Sequence, residues 1–275
     1  MVKAKKGFNL FWTVLLSVAS VLYVYPILMI LLNSFKKETS ISTSTAFLPP
    51  TADTFAGAAN YVNAISSKGF LQSFWYSTLI TVTSVALILL CCSMCAWYIT
   101  RVNSLMSKAM YYLCVFSMVV PFQMVMYTLS KIANMLKLGN PVGIVIVYLG
   151  FGAGLSVFMF VGFCKSIPIE IEEAAMIDGC NPLQTYFRVV LPIMKPTCVT
   201  VTILQAMWIW NDYLLPSLVL DQKRWKTIPM AVQYLKGGYG SVDMGAMMGT
   251  LVIAIIPIII FYIACQKYII EGVVA

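Results

Sequence analysis

The chain contains no histidine, and only 10 of its 275 residues are acidic. Zinc sites and general acid–base centres therefore lose the side chain they use most often. No Gly-x-x-x-x-Gly-Lys-Ser/Thr run occurs either, so the loop that cradles nucleotide phosphates is missing. Charged residues of both signs make up 10%, against 60% hydrophobic residues and a mean hydropathy of +0.87. A soluble domain of this length needs far more polar surface to cover itself. The composition describes a polytopic membrane protein. Its eight cysteines carry no disulfide message: most fall inside apolar runs, and Cys91, Cys92 and Cys95 crowd neighbouring positions of one helical stretch rather than a metal-binding loop. They read as small packing residues, and neither a metal site nor a catalytic residue is expected.

A membrane-spanning helix needs ~20 apolar residues. Six stretches qualify, at about 10–33, 71–99, 109–129, 141–164, 197–219 and 244–267. An even number leaves both termini on one side. The first run has features of a signal peptide, with Lys3, Lys5 and Lys6 ahead of it and small residues at Ser17-Val18-Ala19-Ser20. Apolar sequence continues to Leu32, which favours an uncleaved span. The 18 lysines and arginines divide equally between the two faces, so their count alone gives no orientation. The basic cluster directly before the first span favours a cytoplasmic N-terminus. The net charge of +8, spread over both faces, suggests no nucleic-acid partner.

One polar interruption, at about 165–196, is rich in helix punctuation. Pro168 opens a helix with Ser166 as a potential cap, and Glu170, Glu172 and Glu173 crowd its first turns, where carboxylates favour the positive end of the helix dipole. Gly179 can adopt the left-handed conformation that stops it. Asn181 and Gln184 have capping-box spacing for a second helix with Pro182 at its first position. Leu183, Phe187, Val190 and Leu191 form an apolar stripe along that helix, and Pro192 is expected to end it. Two short helices joined by a tight turn would make a knob outside the membrane.

The residues of this knob carry a family resemblance. Glu173-Ala174-Ala175-Met176-Ile177-Asp178-Gly179, followed after nine residues by Val189-Val190-Leu191-Pro192, resembles the EAA loop of binding-protein-dependent ABC importer permeases at every fixed position. Tyr25-Pro26, Ser34-Phe35-Lys36, Asn60-Tyr61 and Trp210-Asn211-Asp212-Tyr213 are similar to marks of the maltose-type carbohydrate subfamily, so the resemblance runs over nearly the whole chain. It implies a type I ABC importer permease fold of six transmembrane helices, all-α, forming a single transmembrane permease domain over 1–275. It also implies a bacterial cytoplasmic membrane location with both termini inside. The implied partners are a second permease subunit, two ATPase subunits that bind ATP and Mg, and an extracytoplasmic solute-binding protein. The substrate would be a carbohydrate, with oligosaccharides such as α-galactosides or malto-oligosaccharides favoured over polyols or glycerol phosphate diesters. ATPase coupling would fall to Glu173 as an ion-pair partner, Ala174 and Ala175 for close docking, Gly179 for the turn, and Asp178, Leu191 and Pro192 as further motif positions.

Two other segments have readings that stay open. Asp212 is the clearest ionisable residue within a span, and with Trp210, Asn211 and Tyr213 it suits a sugar pathway or, equally, a helix fastening. The outside loop at about 220–243 contains Tyr234, Gly237, Gly238 and Tyr239, which suit contact with a binding protein or an ordinary solvated connection. The alternative class is a self-sufficient secondary transporter or channel. A proton-coupled carrier would want several buried ionisable residues, and this sequence offers one.

Overall fold

The computed structural model describes residues 6–42, 47–66, 69–234 and 243–274. Within them the chain is helical, and the sole β pairing is an isolated bridge between Lys36 and Phe55. The chain divides into two compact units, Met1–Phe70 with Ala231–Pro257, and Leu71–Met230 with Ile258–Ala275.

The first unit contains α1 (Lys6–Asn33), α2 (Glu38–Ile41), α3 (Ala59–Ser66) and the beginning of α14 (Met244–Val274). Helix α1 leaves its apolar side chains exposed along its length, Leu10, Leu22 and Tyr23 among them. Such exposure costs nothing where the solvent is hydrocarbon. Beyond α1 the chain doubles back, with the Ala56 amide donating to Phe35 O at 2.7 Å and the Lys37 amide to Thr54 O at 2.8 Å. Asn60 holds this turn together. Its buried Nδ2 donates to Ser34 O and Lys36 O, both at 2.8 Å. Ser34 Oγ shares a 2.6 Å hydrogen bond with Tyr61 OH, and the Tyr61 ring lies 5.3 Å from that of Phe35. Gly245 and Gly249 on α14 pass so close that an added Cβ would sit 2.4 Å from Asn60 Oδ1 and 3.1 Å from Asn60 O. Asp243 Oδ1 caps α14 by accepting from the Ala246 amide at 2.8 Å.

The second unit is built around α4 (Phe70–Arg101) and α7 (Pro141–Cys164), with α5 (Leu105–Val119), α6 (Phe122–Met135), α8 (Ile169–Ile177), α9 (Pro182–Thr185), α10 (Leu191–Ile193), α11 (Lys195–Asn211), α12 (Leu214–Val219) and the start of α13 (Ile228–Tyr234). Helix α4 has neither glycine nor proline in 32 residues. Several of its hydroxyls bond back to its own carbonyls, as in Thr78 to Phe74 O at 2.9 Å and Thr100 to Ala96 O at 2.7 Å, so these need no water. Helix α7 starts at Asn140, whose Oδ1 accepts from the Val142 and Gly143 amides, with Pro141 in its first turn. It supplies Ile144, Tyr148, Val157, Phe160 and Cys164 to a core completed by Ile80, Ile88 and Ala96 of α4 and Val201 of α11. Small residues bring these helices together. A Cβ on Gly152 would lie 2.6 Å from Ile88 Cδ1, and one on Gly154 would lie 2.8 Å from the Cys114 carbonyl of α5.

Among the described residues, four helices are long and apolar enough to cross a membrane, Leu10–Asn33, Phe70–Arg101, Pro141–Cys164 and Met244–Lys267, and the number rises to six if each of two sharply bent pairs is one span. The stretches expected at 109–129 and 197–219 are therefore not straight rods. The first breaks at Pro121, where α5 and α6 meet at 109°. Proline lacks the amide that would continue the helix, and Val120 before it is extended, with ψ 114°. The second divides into α11 and α12 at Asp212, whose ψ is 122°.

Candidate functional site: the α8–α9 knob and the α11–α12 break

The knob between α7 and α11 forms through local chemistry. Helix α8 ends in a Schellman turn, in which the Gly179 amide donates to Met176 O and the Cys180 amide to Ala175 O, both at 3.0 Å. Gly179 has φ +88°, a conformation side-chain-bearing residues adopt at a cost, and nothing lies within 4 Å of where its Cβ would be. Glycine is needed here for conformation, not for room. Asn181 and Gln184 then form a reciprocal capping box, each side chain accepting from the other's backbone amide at 2.9 Å.

Three features of the knob differ from the sequence expectations. Ser166 does not cap α8; its hydroxyl donates to Phe163 O at 2.7 Å, and Pro168 takes the cap position without a side-chain bond. The apolar stripe of Leu183, Phe187, Val190 and Leu191 is divided between exposed and buried positions. A π-helical turn over Tyr186–Val190 shifts the register, burying Thr185, Tyr186 and Val190 while Leu183 and Phe187 stay exposed. Pro192 does not stop the helix. It falls in the first turn of α10, where its missing amide is not needed, and the chain passes through Met194 into α11 with a 75° bend.

The motif residues divide by exposure. Glu173, Ala174, Asp178, Gly179 and Pro192 are exposed, Leu191 is half-buried and Ala175 is buried. Glu172, one position before the motif, is the carboxylate turned inward, with 4% of its surface exposed. Its Oε1 accepts from Arg101 Nε at 2.9 Å and from an Arg101 terminal nitrogen at 2.7 Å, and its Oε2 accepts from Trp97 Nε1 at 2.9 Å. Arg101 also donates to Ile167 O at 2.9 Å. One turn further up α4, Ser93 Oγ hydrogen-bonds Tyr186 OH, and the Trp97 and Tyr186 rings lie 5.5 Å apart. Ser93, Trp97 and Arg101 thus clamp both helices of the knob to the end of α4. Sequence reasoning missed this clamp. The available signal was Glu172 three residues before Ala175 on one face of α8, facing a lone arginine at the end of a long apolar helix.

With one face clamped, the other face of the knob presents Met176, Ile177 and Leu183, and Ile177 is 87% exposed. This apolar surface stands beside charged and polar residues on a projecting pair of helices.

At the far end of α11, Asp212 closes the break. Its Oδ1 accepts from the Leu214 and Leu215 amides at 3.0 and 3.3 Å, capping α12, and its Oδ2 accepts from Tyr148 OH on α7 at 3.2 Å. Both oxygens are engaged by protein groups. Trp210 packs edge-on against Phe74 at 5.9 Å, and Trp208 against Tyr148 at 5.5 Å. Asn211 and Tyr213 remain exposed, although Asn211 Nδ2 donates to Met207 O at 2.7 Å. The first half of the 220–243 loop packs on α4, with Trp225 against Tyr76 at 4.9 Å and the Ile228 amide donating to Ser77 Oγ at 2.8 Å. Of the residues expected to meet a binding protein, Tyr234 ends α13, while Gly237, Gly238 and Tyr239 lie outside the described residues.

The described residues thus form a helical, apolar chain of the multispan membrane class, with a knob clamped to α4 and a capped break after α11. Residues 88–274 match the family described as the binding-protein-dependent transport system inner membrane component. The chain is 36% identical over 258 residues to the probable starch degradation products transport system permease protein AmyC of Thermoanaerobacterium thermosulfurigenes, covering 94% of this chain and 92% of that one. It is 37% identical over 279 residues to the multiple sugar-binding transport system permease protein MsmG of Streptococcus mutans, covering 98% and 97%. Its fold superimposes, with a TM-score of 0.82 and 25% identity over 98% of this chain and 99% of the other, on a chain of a bacterial ABC transporter involved in the import of the acidic polysaccharide alginate. The chain belongs to the family of binding-protein-dependent transport system inner membrane components.

Proposed function

We propose that this chain is one permease subunit of an ATP-driven importer that takes up an oligosaccharide. It would pair with a second permease, receive sugar from an extracytoplasmic solute-binding protein, and depend on two ATPase subunits for ATP and Mg. The observation that carries the reading is the knob, one face locked to α4 through Glu172, Arg101 and Trp97 and the other exposing Ile177 and Leu183. Such a body is suited to seat on a soluble subunit and pass its displacement to a spanning helix without deforming. Relatives named for starch degradation products and multiple sugars, and a structural relative involved in alginate import, support a carbohydrate substrate.

In this reading Glu173, exposed beside the clamp, pairs with a cation on the ATPase, and Ala174 permits close approach. Ala175 packs inward and Gly179 sets the turn. Asp212 holds the α11–α12 break, leaving Asn211 and Tyr213 as the pathway-facing members of the group. The knob and both termini face the cytoplasm.

Proteoliposomes holding the complete complex, supplied with sugar-loaded binding protein, test the reading. Uptake of a labelled malto-oligosaccharide or α-galactoside should require ATP on the knob side. Uptake driven by an ion gradient without ATP would support the secondary-transporter alternative instead. A membrane-impermeant thiol reagent on intact, wall-stripped cells should modify a cysteine placed at Lys226 and spare one placed at Asn181; the reverse pattern would overturn the orientation.

A further inference from the structure

Where α4 ends, α5 begins and α7 ends, the second unit contains a cavity of about 310 Å³ that the transport reading does not use. Lys108, Lys165, Asn103, Tyr111 and Tyr112 line it, and no acidic side chain does. The nearby Arg101 is already committed to Glu172, whereas Lys108 and Lys165 have no carboxylate partner among the described residues. Lys165 Nζ lies 5.9 Å from the centre of the Tyr111 ring, which supports its charge without neutralising it. The capping box of Ser104 and Ser107 fixes the start of α5, so the Lys108 backbone stands on a rigid first turn.

The surroundings of the cavity identify the kind of anion. Helix α5 turns Tyr112, Leu113, Phe116 and Val119 outward along one face, with Leu113 68% exposed and Phe116 64% exposed. This stripe starts at the mouth of the cavity and continues along the span. Tyrosine and lysine at the end of a spanning helix belong at headgroup depth, where rings and ammonium groups sit between hydrocarbon and water. A cavity with two uncompensated lysines and an apolar stripe leading from it complements a phosphodiester attached to acyl chains.

We propose that this cavity binds the headgroup of an anionic phospholipid in the leaflet at the knob end, with Lys108 and Lys165 on the phosphate and an acyl chain along Leu113 and Phe116. The lipid would bridge α5 and α7 next to the clamped end of α4. This inference rests on the membrane location of the chain and not on the identity of the transported solute.

The test is an equilibrium titration of the purified complete complex with short-chain phosphatidylglycerol, with phosphatidylcholine as the reference. The parent should prefer phosphatidylglycerol. The Lys108→Gln/Lys165→Gln double variant should bind it about thirtyfold more weakly, from the attraction each lysine contributes near an anionic lipid. Each single glutamine variant should lose about fivefold, which preserves the test should the double variant fail to assemble. The Lys108→Arg/Lys165→Arg variant should keep the preference. Unchanged phosphatidylglycerol binding in the glutamine variants overturns the proposal. Displacement of the lipid by excess inorganic phosphate overturns it too, marking the cavity as a site for a free anion.

Discussion

The segments before and after α11 both interrupt apolar sequence, and both satisfy their helix ends with an Asx side chain, yet they direct their remaining chemistry in opposite ways. Ahead of α11, Asn181 caps α9 and the carboxylate of Glu172 is buried, leaving apolar Ile177 and Leu183 on the outside. After α11, Asp212 caps α12 and binds Tyr148, and hydrophobic Leu215 and Val219 turn inward. Capping solves the same problem in both, since no helix terminus near lipid can leave its amides bare. The difference lies in what the surrounding solvent permits. An apolar surface on a projecting knob is stable only when a partner covers it, whereas a polar group at a break within a span must find its partners inside the chain.

This comparison breaks most easily at Glu172. Glu172→Ala leaves the Arg101 guanidinium and the Trp97 indole without their acceptor. Disrupting a largely buried ion pair in this way costs about 3 kcal/mol or more. The thermal midpoint of the purified chain should fall clearly below the parent's, and uptake should fall with it. A variant with parental stability would show that the clamp is incidental.

The next effect is at Gly179, and its character distinguishes conformation from packing. With nothing within 4 Å of the Cβ position, the loss on Gly179→Val comes from forcing a β-branched residue to φ +88°, about 1–2 kcal/mol. Gly179→Asn should recover most of it, because asparagine tolerates that region. In the complete complex, the valine variant should hydrolyse ATP with reduced sugar uptake. Valine and asparagine variants with equal stability and uptake would remove the argument from φ.

At the other end of α11, Asp212→Asn should keep the cap on α12, while Asp212→Ala loses it at about 1 kcal/mol. Tyr148→Phe should cost a similar amount, about 1 kcal/mol, by leaving Asp212 with one partner fewer. If fastening is the whole role, the half-saturating sugar concentration is the same in the asparagine variant as in the parent. A large rise in that concentration at unchanged stability would return Asp212 to the sugar pathway.

The parts of this architecture that were legible in the sequence are those decided within a few residues. Gly179, Asn181, Pro182 and Gln184 act on neighbours one turn away, so their roles follow from spacing alone. Asn60 and Ser34, visible only as family marks, prove to hold the turn after α1 against the two glycines of α14. The pairing of Glu172 with Arg101 spans 71 positions and depends on how α8 docks on α4, which no local pattern encodes. Pro192 misled for a related reason. Proline ends a helix that precedes it, but it also suits the first turn of one that follows, and the π-helical turn over Tyr186–Val190 decides between them here. Pro121 could be seen, but the 109° angle between α5 and α6 is fixed by where α6 packs, including the Ser130 hydroxyl on Leu218 O at 3.0 Å.

The most direct measurement of the central claim uses the residue whose replacement should disturb the fold least. Ile177 is 87% exposed, so Ile177→Ser should change the stability of the isolated chain by no more than about 0.5 kcal/mol. Capture of the ATPase subunits by the tagged permease, compared between parent and Ile177→Ser, reads the docking surface itself. The account predicts an unshifted thermal midpoint together with loss of most of the captured ATPase. Parental capture and uptake in the Ile177→Ser and Leu183→Ser variants would contradict it.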